Sequence, residues 1–98
     1  MDGNKILEVV GVYREYFKSL GVLKRSFSYE YLIMDEISQP WDMLSHCHGM
    51  LDKMEVFVKE GKIDKAFRWL GFIQGCLWST GHFTLEDLKN HSRPNPPT

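Results

Sequence analysis

Apolar residues return every three to four positions through most of this chain, which is the period of helices with one dry face. Ile6, Val9, Val10, Tyr13, Tyr16, Phe17 and Leu20 fall on one side of such a helix; Glu8, Gly11, Glu15 and Lys18 fall on the other. The pattern predicts a first helix over residues 4–20, with Asn4 as its N-cap and Gly21 closing it in the left-handed conformation. A second stripe passes through Met43, Leu44, Cys47, Met50, Leu51, Met54, Phe57 and Val58, with Asp52, Glu55, Lys59 and Glu60 facing water. Ser38 is the expected cap, Pro40 is tolerated in a first turn, and Gly61 ends the helix. Such a methionine-rich stripe reads as core, although thioethers also suit adaptable interfaces.

A third helix is predicted over residues 63–80, with Gly81 at its end. The short Gly61-Lys62 connection makes the second and third helices an antiparallel hairpin. A fourth is announced by Phe83-Thr84-Leu85-Glu86-Asp87-Leu88. Thr84 is its N-cap, Asp87 completes a capping-box pair, and Phe83 and Leu88 occupy the staple positions. It ends near residues 90–91, and Ser92-Arg93-Pro94-Asn95-Pro96-Pro97-Thr98 reads as a mobile proline-rich tail to a single domain of residues 1–91.

Residues 22–37 break the helical period. Phe27, Tyr29, Tyr31 and Ile33 alternate with Ser26, Ser28, Glu30 and Leu32, which fits a short strand. A lone strand has no partner in this chain, so an irregular connector with a helical turn over residues 32–37 is expected. Its aromatics would lie over the bundle or form a lid on a ligand. The fold class is therefore all-α: a small helical bundle with a central antiparallel hairpin, the first helix packed across it and a short C-terminal helix.

The third helix is too apolar for one buried face. Ile63, Ala66, Phe67, Trp69, Leu70, Phe72, Ile73, Cys76, Leu77 and Trp78 cover roughly two thirds of its circumference. Only Asp64, Lys65, Arg68 and Ser79 mark a wet side. Gly71 and Gly75, at one margin of the arc, remove bulk and admit another backbone, at about 1 kcal/mol each in helix propensity. They are the expected positions for close helix packing or oligomer contact. The charged residues leave far fewer than the ~20 consecutive apolar residues of a membrane span. The surplus favours a homo-oligomer. Gln74 sits mid-arc, so it needs a hydrogen bond to a neighbouring helix, to its own mate across a two-fold axis, or to a ligand.

Composition narrows the function. The chain has 98 residues, 43% hydrophobic and 13% aromatic, enough for one core. Net charge is −1, and Lys24-Arg25 is the one adjacent basic pair, so nucleic acid is an unlikely partner. The polar, acidic N-terminus reads as lacking a signal peptide, and Cys47 and Cys76 as reduced core thiols. In His46-Cys47-His48 the two histidines point about 200° apart on a helix and cannot share a metal easily. Cys47 points into the apolar face, where a thiol is inert. No phosphate loop, dinucleotide fingerprint or catalytic constellation is present, so the expectation is a non-enzyme without metal or cofactor. Arg68, Trp69, Gln74 and Trp78, with Tyr29 and Tyr31, are the candidate contacts to a partner or to a small anionic ligand.

The run Gly61-Lys62-Ile63-Asp64-Lys65-Ala66-Phe67-Arg68-Trp69-Leu70-Gly71-Phe72-Ile73-Gln74-Gly75-Cys76-Leu77-Trp78, then Phe83 to Pro94, resembles a group of small uncharacterised helical proteins of tailed bacteriophages and prophages. Leu44-Ser45-His46-Cys47 and Met50-Leu51-Asp52 extend the likeness to about the last half of the chain. The resemblance implies a phage accessory protein in the bacterial host cytoplasm and carries no activity with it. Binding of a host protein, in counter-defence or host modulation, is the leading expectation. An oligomeric protein that sequesters a nucleotide-like anion is the alternative, and a minor virion or assembly component a further one.

Overall fold

A computed structural model describes residues 1–25 and 40–94. Four helices follow in order: α1 (Gly3–Leu20), α2 (Pro40–Lys59), α3 (Ile63–Ser79) and α4 (Leu85–Ser92), with no strand among the described residues. The bundle is all-α as its periodicity predicts. The expected strand or connector, Tyr29, Tyr31, the turn over residues 32–37 and the Ser38 cap lie outside the described residues, as do residues 95–98.

Local signals set the helix ends. Asp2, rather than Asn4, caps α1: its carboxylate accepts from the Lys5 amide at 2.8 Å, so the helix begins one residue earlier than expected. Gly21, Gly61 and Gly81 all have φ near +80° (76°, 78° and 79°). At each, the amide after the glycine reaches back to a carbonyl five residues earlier: Val22 to Phe17, Lys62 to Phe57 and His82 to Leu77. The left-handed turn satisfies carbonyls that a helix end otherwise leaves open, and a Cβ would strain it. At α4 the Asp87 amide donates to Thr84 Oγ1 at 3.1 Å, while the Thr84 amide donates to Asp87 Oδ2 at 3.0 Å, closing the expected capping box.

The core forms where α1 lies across the α2–α3 hairpin. Ile6, Val9, Val10, Tyr13 and Phe17 meet Leu44, Cys47, Leu51 and Met54 of α2 and Ala66, Leu70, Ile73 and Leu77 of α3, all buried. The methionine stripe of α2 is thus core. Leu20, counted on the dry face of α1, is exposed instead, and Val22 just past the turn is buried in its place. Val22 follows the glycine and folds back onto Phe17, the apolar contact that accompanies this kind of helix end. Outside the core, Arg14 pairs with Asp52 at 2.9 Å and with Glu55, and Lys24 pairs with Asp52 at 3.0 Å. These surface bridges tie α1 and the following segment to α2 at about 0–1 kcal/mol each. No helix among the described residues is long and apolar enough to cross a membrane.

Candidate functional site

The broad apolar arc of α3 divides into two faces. Ala66, Leu70, Ile73 and Leu77 turn inward. On the opposite side Phe67, Phe72 and Trp78 remain 51%, 52% and 53% exposed. Gly71 and Gly75 lie between them, also exposed, and a Cβ built on either meets no atom within 4 Å. No helix among the described residues packs on the two glycines. At about 100° per residue, Phe67 and Trp78 border this flat lane on one edge and Arg68 and Phe72 on the other. Arg68 is exposed and makes no ion pair among the described residues. Where α3 ends, Trp78 joins Leu85, Glu86 and Asp87 around an open depression at the start of α4.

The four candidate contacts on α3 do not converge, and Tyr29 and Tyr31 lie outside the described residues. Trp69 and Gln74 lie about 100° and 240° around the helix from Arg68, so one ligand cannot touch all three. Trp69 is half-buried and meets the Phe57 ring edge-on at 4.8 Å, with Lys65 Nζ 4.5 Å from the centre of that ring. Trp78, which a packing argument would bury, stands exposed on the opposite side.

Gln74 turns into the bundle. Its amide donates to Tyr13 Oη at 3.0 Å and to Ser92 Oγ at 2.9 Å, tying α3 to α1 and α4. That arrangement leaves the Tyr13 proton for Nδ1 of His91, 3.0 Å away. Burial pushes the Tyr13 phenol above its ordinary range, against the opposing pull of the Gln74 bond. One turn on, Tyr16 Oη lies 2.6 Å from Nδ1 of His82. Phe83 completes the cluster, with its ring centre 4.7 Å from Tyr16 and 4.8 Å from His91. Sequence spacing did not reveal these pairs. The available signal was that Tyr13 and Tyr16 carry polar tips on an apolar stripe, and a buried tip needs a partner. Tyr13→Phe is expected to lower stability by about 1–2 kcal/mol, because Gln74 and His91 each lose a buried partner. Thermal or urea denaturation would measure it, and an unchanged midpoint would mean that water replaces the hydroxyl.

The central thiols and histidines have structural surroundings. Cys47 and Cys76 are free and buried, facing each other across the hairpin. The hydrogen bond to Cys76, together with burial, pushes the Cys47 thiol up and keeps it protonated. His48 donates from Nδ1 to the Val22 carbonyl at 2.9 Å and rests on Phe17, ring centres 5.3 Å apart. Burial pulls the His48 pKa down and holds it neutral. His46 is pulled down for the same reason and meets Phe72 edge-on at 6.3 Å. Among the described residues no three His, Cys, Asp or Glu side chains are grouped to hold a metal. The arrangement that remains open for contact is the aromatic and glycine face of α3. Comparison with family models, with curated proteins and with solved structures returns no match.

Proposed function

We propose that this chain is a non-enzymatic accessory protein of a tailed bacteriophage or prophage. It works in the bacterial cytoplasm, as a homo-oligomer, by binding a host protein and modulating a host defence or metabolic function. The observation that carries the binding reading is the exposed face of α3. Three half-exposed aromatic rings line one helix of a small bundle, and no helix among the described residues covers them. Contiguous apolar surface of this kind marks interaction sites in proteins of this size. Aromatic residues and arginine, as in Phe67, Phe72, Trp78 and Arg68, are the types that dominate binding energy at protein interfaces. The phage setting rests on the resemblance of the residue 61–94 segment.

The test is affinity capture from bacterial lysate at near-physiological salt, comparing the natural chain with a Phe72→Ser, Trp78→Ser double variant. A specific host protein retained by the first and lost by the second is expected. Recovery of no specific partner, or equal recovery by both, counts against the reading. The Arg68 guanidinium, without an ion pair among the described residues, keeps a second reading, a nucleotide-like anion, worth measuring. Trp69 and Gln74 are turned away from Arg68, so such a ligand would need contacts from a second subunit. Thermal stabilisation by nucleotides would reveal it.

A further inference from the structure

We infer that Cys47 and Cys76 form a reversible redox-modification site, at which a small peroxide joins the two thiols as a disulfide between α2 and α3. It does not depend on what the outer face of α3 binds. The two thiols are level with each other across the hairpin, and they differ in reactivity.

The antiparallel pair α2 and α3 is closed at Gly61, and the two cysteines stand equally far from that turn to within one residue. Contacts across the hairpin hold this alignment: Phe57 meets Trp69 nearer the turn, and His46 meets Phe72. Both thiols are on inward faces. Cys47 shares the buried stripe of Leu44 and Leu51, and Cys76 that of Ile73 and Leu77. Helices pack about 8–10 Å apart with each Cα about 2.3 Å from its axis, so two inward-facing Cα atoms at one level come within roughly 4–6 Å. A disulfide spans about 4.4–6.8 Å between Cα atoms, so the bond closes with the helices near their present places. The side chains already touch through the hydrogen bond that Cys47 donates to Cys76.

Cys47 has no exposed surface, whereas Cys76 keeps 7%. Cys76 also lies in the last turn of α3, and helix ends open more readily than their middles. The bond donated by Cys47 pulls the Cys76 thiol below its ordinary range, against the opposing effect of burial. Cys76 is thus the thiol that ionises first and that a molecule as small as hydrogen peroxide reaches. Its thiolate attacks one peroxide oxygen. The S–O bond forms, the O–O bond breaks, and the departing hydroxide takes up a proton to become water. The Cys47 sulfur then attacks the sulfur of the Cys76 sulfenic acid. The S–S bond forms, the S–O bond breaks, and the Cys47 proton leaves with that hydroxide as a second water. The two thiols lose two electrons and the peroxide oxygens gain them. A thiol reductant reverses the change by exchange. The chain has two cysteines, so within one molecule the resolving thiol can only be Cys47.

The experiment exposes the folded, tag-free full chain to hydrogen peroxide, then denatures it in an alkylating agent and reads intact and peptide masses. Both alkylatable thiols should be lost together, with a mass lower by two hydrogens and a peptide pair joined through Cys47 and Cys76. Dithiothreitol should restore both thiols. The oxidised chain should unfold at a higher urea midpoint than the reduced one, because the bond closes a long loop in the unfolded chain. Cys47→Ala should stop at a sulfenic acid on Cys76, trapped by a dimedone probe, while Cys76→Ala should keep its thiol at the same dose. The natural chain's readouts decide the matter where an alanine variant does not fold. Thiols that stay alkylatable in the folded chain while its methionines oxidise overturn the inference. A disulfide that forms only in urea-unfolded chain, or only between chains, overturns it as well, as does equal thiol consumption in the two folded alanine variants.

Discussion

Replacing Phe17 with alanine is expected to lower stability by about 3–5 kcal/mol, the range for truncating a fully buried aromatic ring. Phe17 has no exposed surface. Its ring rests on His48 of α2 and is tilted against Tyr16 at 6.2 Å, while its carbonyl accepts from the Val22 amide at 2.9 Å. Val22 in turn accepts the His48 bond. The side chain therefore sits where the end of α1, the segment after it and the middle of α2 meet, and none of the three can move in without breaking a bond to the others. The cavity would persist, which places the cost at the upper part of the range. Domains of this size have about 5–15 kcal/mol in total, so the variant should be partly unfolded near physiological temperature. Urea denaturation should show a lower midpoint at an unchanged slope. Phe67→Ala is the control: its ring is half-exposed on the outer face of α3, and the expected loss is below about 1 kcal/mol. Equal losses in the two variants would show that the faces of α3 are assigned wrongly.

That contrast marks the boundary of what the sequence reveals. Phe17 and Phe67 are both apolar positions on periodic helices, and periodicity alone treats them alike. Helix existence, the three glycine closures and the Thr84–Asp87 capping box were legible because each depends on residues within a turn of one another. The choice of inward face on α3 was not, because its arc is apolar almost all round. Only the directions from which α1 and α2 approach select Ala66, Leu70, Ile73 and Leu77 over Phe67, Phe72 and Trp78. Gln74 stood out as an amide that needs partners, yet the ones it has are Tyr13, 61 residues away, and Ser92, 18 residues away. His82 and His91, which no local pattern marks, face Tyr16 and Tyr13. At the start of α1, Asp2 and Asn4 are both good caps two residues apart, and propensity could not rank them. The candidate contacts on α3 spread around the helix for a simpler reason. Arg68, Trp69 and Gln74 are close in sequence, and closeness in sequence on a helix means divergence around its axis.

Gly49 shows how far a local rule can mislead. It lies inside α2, where helix propensity favours alanine over glycine by about 1 kcal/mol, so Gly49→Ala should be stabilising on local grounds. The expected result is the opposite, a loss toward the upper end of about 1–3 kcal/mol. A Cβ at this position would press into the Arg25 carbonyl oxygen, closer than Cβ atoms ever come to one, and would sit 3.2 Å from its carbon. Those are backbone atoms, so no rotamer change relieves the clash. The segment cannot slide either, because the Arg25 amide donates to the Ser45 carbonyl at 3.1 Å and His48 donates to the Val22 carbonyl at 2.9 Å. Residues 22–25 are thus held on α2 by two bonds to the turn before the glycine and by the Lys24–Asp52 pair after it, and a methyl group would have to break one of them. Gly11→Ala on α1 is the matched control: nothing lies within 4 Å of its Cβ, and the propensity gain should appear there undiminished. Thermal denaturation of the two variants should therefore shift in opposite directions. Stabilisation by both would mean that the segment after α1 is not held against α2, and that the His48 bond to Val22 does not persist in solution.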